Sequence, residues 1–351
     1  MNNNVNDSTE LLVYQLLLLY KSDKVFDFSI EPLFGDASGR EYFRVKFGDE
    51  SCIAATVAES GTAEFGRGGP YYDFISIQSD LEKMGIRVPE IYVRKDDSRA
   101  LLIEDLGDNS MFNVVQTDPD SRIRMMKFGV NLLSMWQEGV YKRKNFKTVV
   151  DKRSFTKNLF MEEFYHFYEY MIEKRVYHIS FEGLWSKLEK IFSNISKELS
   201  NSPYIYSHRD FQSKNIMINS GEGYLIDFQD AILAPAVYDL VSLIRDSYIV
   251  LSDEEVAAML KLFWKINPVI RELYVEYRHF ERIFYLQTVQ RKMKDAGRFI
   301  YLNQVKDKKW FLPYVKPSLQ YVKSALLKLG MGDILKILEP YIPELEQRGE
   351  S

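Results

Sequence analysis

Between residues 203 and 229 a long stretch of helical periodicity gives way to two short apolar strands, and this interruption constrains the fold more than any other feature of the chain. Tyr204, Ile205 and Tyr206 lead into a polar loop, His208-Arg209-Asp210-Phe211-Gln212-Ser213-Lys214-Asn215. Ile216-Met217-Ile218 and Tyr224-Leu225-Ile226 then read as two strands of a hairpin, joined by a four-residue turn from Ser220 to Gly223. If Asn219 pairs with Tyr224, Ile216 lies opposite Asp227 and Asn215 opposite Phe228. That register brings Asn215 and Asp227 together at the open end of the hairpin, beside the loop holding Asp210.

The segments around this island are helical. Pro119 followed by Ile123, Met126, Val130 and Leu133 marks a helix start and an apolar face, with Gly139 as its stop. Helical period continues over residues 153–200, 252–300 and 314–347, and only 203–229 returns to strands. The first third alternates instead. Phe43, Val45 and Phe47 interleave with Tyr42, Arg44 and Lys46, and a turn at Gly48 to Ser51 leads into Cys52-Ile53-Ala54-Ala55-Thr56-Val57, an antiparallel hairpin. Ser60 to Pro70 reads as an exposed loop, Tyr72 to Met84 as a helix ended by Gly85, and Val88 to Val93 and Ala100 to Glu104 as two further strands. The expected class is therefore α+β and bilobal. A small β-rich N-terminal lobe (residues 1–106) meets a larger, mainly helical lobe (107–351) through a hinge at 102–108. A chain of 351 residues suits two such lobes, and a cleft between them is where a small molecule is expected to bind.

Charge and cysteine content remove several function classes. Lys and Arg total 46 against 50 Asp and Glu, so no basic surplus exists to hold a nucleic-acid backbone. The single Cys52 cannot form an internal disulfide or a thiolate zinc cluster, which points to a reducing, cytoplasmic address. The longest apolar run, Leu11 to Leu19, is too short to span a bilayer, and Asp7 and Glu10 stand where a signal peptide would be basic. It reads as an N-terminal helix packed on its own domain, with no membrane partner.

The island carries the chemistry. A carboxylate and a carboxamide suit Mg²⁺, a hard cation usually held by one or two protein oxygens with waters and substrate phosphates. Asp210 is then left to accept a proton from an attacking hydroxyl, and these are the parts phosphoryl transfer needs. The spacing of His208, Asp210 and Asn215 matches the catalytic-loop signature of protein kinases, with Asp227-Phe228-Gln229 standing where Asp-Phe-Gly would follow.

With Asp239 in Pro235-Ala236-Val237-Tyr238-Asp239-Leu240, this loop resembles the aminoglycoside phosphotransferase and choline kinase superfamily, small-molecule kinases of protein-kinase architecture. Four further blocks, Gly35 to Val45, Leu102 to Asp108, Asp227 to Ala231 and Tyr238 to Tyr248, are similar to the bacterial N-acetylmuramate/N-acetylglucosamine anomeric kinases, and Gln290 to Phe299 resembles their C-terminal basic helix. The resemblance implies ATP-dependent, magnesium-requiring phosphorylation of the anomeric hydroxyl of an N-acetyl amino sugar, in a route that recycles cell-wall sugars. Asp210 would be the catalytic base, with Asn215 and Asp227 on magnesium. The turn over the phosphates would include Ser38 and Gly39. The hinge from Leu102 to Leu106, with Glu104 and Leu106, would meet adenine. The expected partner is a small-molecule sugar and the expected state a monomer. The alternatives are a kinase of another hydroxyl acceptor (an aminoglycoside, choline or a different sugar) and a nucleotide-binding pseudokinase.

Three departures qualify the pattern. Ile53-Ala54-Ala55-Thr56 holds no lysine for the α- and β-phosphates, so Arg44 or Lys46, which share one face by period two, or Arg40 in the phosphate turn, must supply that charge if it is supplied. The Asp-Ala-Pro-Pro usual after this strand is replaced by Thr56-Val57-Ala58-Glu59-Ser60, which leaves the sugar open. The phosphate turn also lacks Gly-x-Gly-x-x-Gly, and Gly66-Arg67-Gly68-Gly69 reads as a loop. Arg291, Lys294 and Arg298 share one helix side and either hold an acidic acceptor or form a solvated face. His208 and Asp239 read as shaping the catalytic loop, and Glu163-x-x-His166 as a structural pair.

Overall fold

The computed structural model describes residues 7–21, 27–33, 40–57, 69–143, 148–175, 180 and 182–345. In chain order the elements begin with α1 (Asp7–Tyr20), β1 (Ser29–Leu33), β2 (Arg40–Phe47), β3 (Glu50–Val57), α2 (Gly69–Lys83), β4 (Ile91–Lys95) and β5 (Ala100–Glu104). Helices α3 (Met111–Thr117), α4 (Arg122–Tyr141), α5 (Lys157–Tyr168) and α6 (Leu184–Ser200) follow. Four strands come next: β6 (Tyr204–Ser207), β7 (Ile216–Asn219), β8 (Glu222–Leu225) and β9 (Ile232–Pro235). The chain closes with α7 (Tyr238–Ile244), α8 (Asp253–Ile266), α9 (Pro268–Leu273), α10 (Tyr277–Lys306), α11 (Val315–Lys328) and α12 (Asp333–Leu338). These sort into two compact units. The first is Met1–Asn109 with Phe146–Lys152 and Met217–Gln229; the second is Ser110–Asn145, Arg153–Ile216 and Asp230–Ser351.

The first unit is a five-stranded antiparallel sheet in the order β1-β2-β3-β5-β4. Alternation along β2 sends Phe43, Val45 and Phe47 to one face, where they pack with Cys52, Ala54, Leu102 and the α1 side chains Val13, Leu16 and Leu17. Each such apolar side chain removed from water contributes about 1.5–3 kcal/mol before chain entropy is counted. This explains why the Leu-rich N-terminal run is a docked helix. Among the described residues no helix is long and apolar enough to cross a membrane.

Several sequence expectations shift. Both hairpin turns have two residues rather than four: Phe47 pairs with Glu50, and β7 ends at Asn219 with β8 starting at Glu222. Ser220 and Gly221 both have positive φ, 52° and 82°, as a type I′ turn requires. With β7 ending at Asn219 and β8 starting at Glu222, the turn is shorter than a pairing of Asn219 with Tyr224 would make it. Helix α4 does not stop at Gly139. It runs on to Tyr141 because Val140 is buried, and that packing outweighs the roughly 1 kcal/mol an interior glycine costs. Strands β1 and β9 were not legible from periodicity. They are short, and β9 forms only because β6 pairs with it from Tyr204↔Pro235 to Ser207↔Ile232. The glycine-rich loop of residues 60–70 lies outside the described residues as far as residue 68, and α2 begins at Gly69.

The second unit is built around α10, whose 30 residues are buried on most sides and flanked by α5, α7 and α11. Gly297 lets α5 come close: a Cβ there would meet the Phe167 Cα at 2.7 Å and the His166 carbonyl at 3.1 Å. Helix α5 ends in a π-turn over Glu169–Glu173.

Candidate active site

The polar loop between β6 and β7 is shaped by two buried carboxylates. Asp239, in the first turn of α7, accepts the backbone N–H of His208 at 2.7 Å and of Arg209 at 3.0 Å. Burial pushes its carboxyl up to about 7, against the pull of the His208 N–H and the Arg291 charge. Asp246, just past the end of α7, accepts Ser213 N–H and Tyr248 N–H, each at 2.9 Å. Between these anchors Arg209 adopts φ 77°. A non-glycine residue in this region costs on the order of 1–3 kcal/mol and persists only where its surroundings fix it, as the Asp239 bond does here. The buried His208 accepts the Asp210 N–H on Nδ1 at 3.3 Å, as expected of a residue that shapes the loop.

Asp210 thereby emerges with its carboxylate oriented. The Arg291 guanidinium, fully buried, donates from Nη2 to Asp210 Oδ1 at 3.0 Å and from Nη1 to the Arg209 carbonyl at 2.7 Å, and it lies 4.8 Å from the Tyr238 ring centroid. The Asp210 side chain is 35% exposed while that of Arg291 is at 0%. Of the pair, then, only the carboxylate can meet a hydroxyl acceptor. Burial by itself would raise the Asp210 carboxyl, but the charges of Arg291, Lys294 and Arg209 and the Arg291 hydrogen bond outweigh it and hold the group below its usual range. Asp210 is therefore ionised at neutral pH, the form a general base needs.

Asn215 closes the same loop by donating from Nδ2 to the Asp210 carbonyl at 2.9 Å, an arrangement that leaves its carboxamide oxygen as a donor for a ligand. Next to it Lys214 holds its ammonium against four aromatic rings, 4.0 Å from the centroid of Tyr248, 5.3 Å from Phe112, 5.7 Å from Tyr314 and 5.9 Å from Phe311. Sequence reasoning passed over both Lys214 and Asp246. For Asp246 a signal existed: it follows Asp239 by seven residues, two helical turns, and so recurs on the same side. For Lys214 none did, because its rings come from three distant segments.

The other expected acceptor-side cations diverge from Arg291. Lys294 sits 3.5 Å from Asp295 Oδ1, and Arg298 lies 4.7 Å from the Tyr301 ring centroid. Asp295 is shared with Lys292, which donates to it at 2.7 Å and to Ser247 at 2.6 Å. On that helix side Arg291 is buried against Asp210, Lys294 pairs with Asp295 while its charge also acts on Asp210, and Arg298 lies over Tyr301. In the Glu163-x-x-His166 pair, Glu163 accepts from Gln290 at 2.6 Å and His166 packs on Tyr170 and Tyr301.

In the first unit Asp227, two residues beyond β8, also has positive φ, 63°, and 47% of its side chain is exposed. Its Oδ1 accepts from Gln229 Nε2 at 2.6 Å and lies 3.6 Å from Arg40 Nη1. Phe228 beside it is buried against Phe74 of α2. Arg44 is directed elsewhere than expected. It donates to Asp105 at 2.8 and 3.1 Å and to Asp108 at 3.1 Å, so its fork is already filled by carboxylates. Glu104 at the end of β5 accepts the Glu90 N–H at 3.2 Å, and Leu106 is buried. Beyond them Asp105 Oδ1 accepts Gly107 N–H, whose φ of 75° makes the turn. Ser38 and Gly39 lie outside the described residues.

Among the described residues no three His, Cys, Asp or Glu side chains gather to hold a metal ion. The Asp227 carboxylate in the first unit and the Asn215 carboxamide oxygen in the second are each oxygen ligands of the kind magnesium accepts.

A β-sheet unit followed by a helical unit, with the Asp210 loop latched by an aspartate on the next helix, is the architecture of a kinase-like phosphotransferase. Residues 173–273 match the phosphotransferase enzyme family, APH. Its fold is that of the ethanolamine kinase of Plasmodium vivax, with a TM-score of 0.59 at 15% identity over 92% of this chain and 89% of that one. In sequence it is similar to the N-acetylmuramate/N-acetylglucosamine kinase of Neisseria meningitidis, 27% identical over 308 residues and 85% of each chain. The protein of the same name from Pseudomonas aeruginosa is 24% identical over 326 residues, 88% of each.

Proposed function

We propose that the protein is an ATP- and magnesium-dependent kinase that phosphorylates the anomeric hydroxyl of an N-acetyl amino sugar. The observation that carries this is the Asp210 carboxylate, kept ionised by a fully buried arginine yet itself open to an acceptor. An anomeric hydroxyl is more acidic than an ordinary alcohol, so a carboxylate within hydrogen-bond reach suffices to take its proton as the oxygen attacks phosphorus. The sugar class rests on the similarity to N-acetylmuramate/N-acetylglucosamine kinases over most of the chain. In this reading Asp227 and Asn215 hold magnesium, which when bound neutralises charge on the phosphates. Arg291 acts through Asp210, fixing its rotamer and its charge.

The test is incubation with ATP, magnesium and a panel of sugars, aminoglycosides and choline, followed by phosphorus NMR of the product. An acid-labile anomeric phosphate on N-acetylmuramate or N-acetylglucosamine supports the assignment. A phosphate on a ring hydroxyl or on another acceptor replaces the substrate class, and no transfer to any acceptor makes the protein a nucleotide-binding pseudokinase. Asp210→Asn should lower turnover at least about a hundredfold, the lower end of what a general base supplies, with its thermal transition retained.

A further inference from the structure

Strand β3 (Glu50–Val57) carries neither lysine nor arginine, so it cannot supply the cation that kinases of this architecture set against the nucleotide phosphates. The neighbouring strand β2 offers three, Arg40, Arg44 and Lys46, which alternation places on one face of the sheet. Their surroundings separate them. Arg44 is occupied by Asp105 and Asp108. Removing that fork from two carboxylates to serve a phosphate would leave a nearly buried Asp105, 5% exposed, without its partner. The Lys46 side chain is 56% exposed and pairs with Glu31 at 3.3 Å, a solvated surface contact.

Arg40 differs from both. Its side chain is only 9% exposed, and its buried Nε has no hydrogen-bond partner among the described residues. Among the described residues it pairs with the carboxylate of Asp227, whose Oδ1 stands 3.6 Å from Nη1, beyond a formed hydrogen bond, and already accepts from Gln229. A buried guanidinium with unmet donors is unfavourable unless something else completes it. Its planar fork matches the oxygens of a phosphate better than a lysine ammonium does.

We propose that Arg40 takes the place of the missing β3 lysine and binds the phosphates of the nucleotide. Asp227 holds the guanidinium in place until a phosphate oxygen fills its open donors. This inference rests on the kinase reading above and adds to it the residue that grips the donor. Arg40 is thus a phosphate-binding residue at the very start of β2, fifteen positions before the strand centre where a lysine would be sought.

The experiment is calorimetric titration of the full chain, wild type, Arg40→Gln and Arg40→Lys, with ATP, ADP and adenosine, with and without magnesium. Arg40→Gln should weaken ATP and ADP at least tenfold in both conditions and leave adenosine within twofold. Arg40→Lys, which keeps the charge and loses the fork, should fall between. Thermal melts of the same samples should show no loss of stability in Arg40→Gln, because the donor removed is an unsatisfied one. Unchanged ATP affinity in Arg40→Gln overturns the proposal while leaving the kinase reading intact. An equal loss for adenosine, or a lowered melting temperature that accounts for the loss, makes Arg40 structural and also overturns it. Wild-type protein that binds no ATP removes the kinase reading, and this inference with it.

Discussion

Replacing Gly297 by alanine sets two known magnitudes against each other at the helix that carries Arg291. In an unhindered helix interior the change is favourable by about 1 kcal/mol, because alanine loses less backbone entropy on folding. Here the added Cβ would stand 2.7 Å from the Cα of Phe167 and 3.1 Å from the His166 carbonyl, both backbone atoms that no rotamer change can move aside. Relief requires α5 and α10 to part by roughly 0.7 Å or more, and a gap of that size forfeits a quarter to a half of each contact's dispersion energy. Overpacking of this kind costs about 1–3 kcal/mol, so after the gain of about 1 kcal/mol the net expectation is a destabilisation of up to about 2 kcal/mol. Gly129 in α4 is the internal control. A Cβ there meets Leu243 Cδ1 at 3.0 Å and Cδ2 at 3.2 Å, the ends of a flexible side chain, and Gly129→Ala should stay within about 1 kcal/mol of wild type. Urea unfolding of the two variants measured side by side decides the matter. If Gly297→Ala is as stable as Gly129→Ala, or more so, the claim that α5 packs on bare α10 backbone is refuted.

Other outcomes can be checked with the same protein. Arg291→Met should lose about 2–3 kcal/mol in denaturant melts, toward the lower end of the cost of a broken buried pair because Asp210 is partly exposed. It should also lower kcat at least about tenfold through a misoriented base, with little change in KM for ATP. Wild-type kcat in that variant would remove Arg291 from any positioning role. Burial, with help from the nearby Arg298 and Lys294 charges, brings the His166 imidazole down to about 4. Its folded pKa lies below its unfolded one near 6.5, so its contribution is complete above pH 6.5 and is lost as pH falls toward 4. Discounted for partial solvent access, that loss is about 1–2 kcal/mol. His166→Gln should flatten the fall in melting temperature between pH 6.5 and 4, and an identical pH profile in the variant would contradict the assignment.

Much of this architecture was legible in the sequence, for reasons that can be traced to individual residues. Alternation of Phe43, Val45 and Phe47 with polar neighbours fixed β2 because one face of the sheet meets α1. Ala100 to Glu104 stood out as a strand because four of its five residues are buried. The bracing of the loop by Asp239 followed from the resemblance to the aminoglycoside phosphotransferase and choline kinase superfamily and not from spacing, and the structure supplies both hydrogen bonds. What escaped the sequence depends on long-range pairing or on the sign of φ. Strand β9 has no identity apart from β6, and the turn lengths hinge on left-handed Ser220, which hydrophobic pattern does not encode. The fate of the three cations on one side of α10 also lay beyond sequence reading. Periodicity gives the side, but only packing decides that Arg291 is sealed against Asp210 while Lys294 pairs with Asp295 and Arg298 with the Tyr301 ring.

The two carboxylates of α7 and its C-terminal flank grip peptide groups, not side chains, in the segment from His208 to Ser213. A peptide N–H is the same whichever amino acid bears it, so the backbone path there is indifferent to most substitutions at those positions. The vulnerability has been exported to Asp239 and Asp246, some thirty residues downstream. Random mutagenesis scored for activity should therefore register damage within the segment at Asp210 and at the buried His208 and Phe211, little at the other positions, and concentrated damage at the two distant acids.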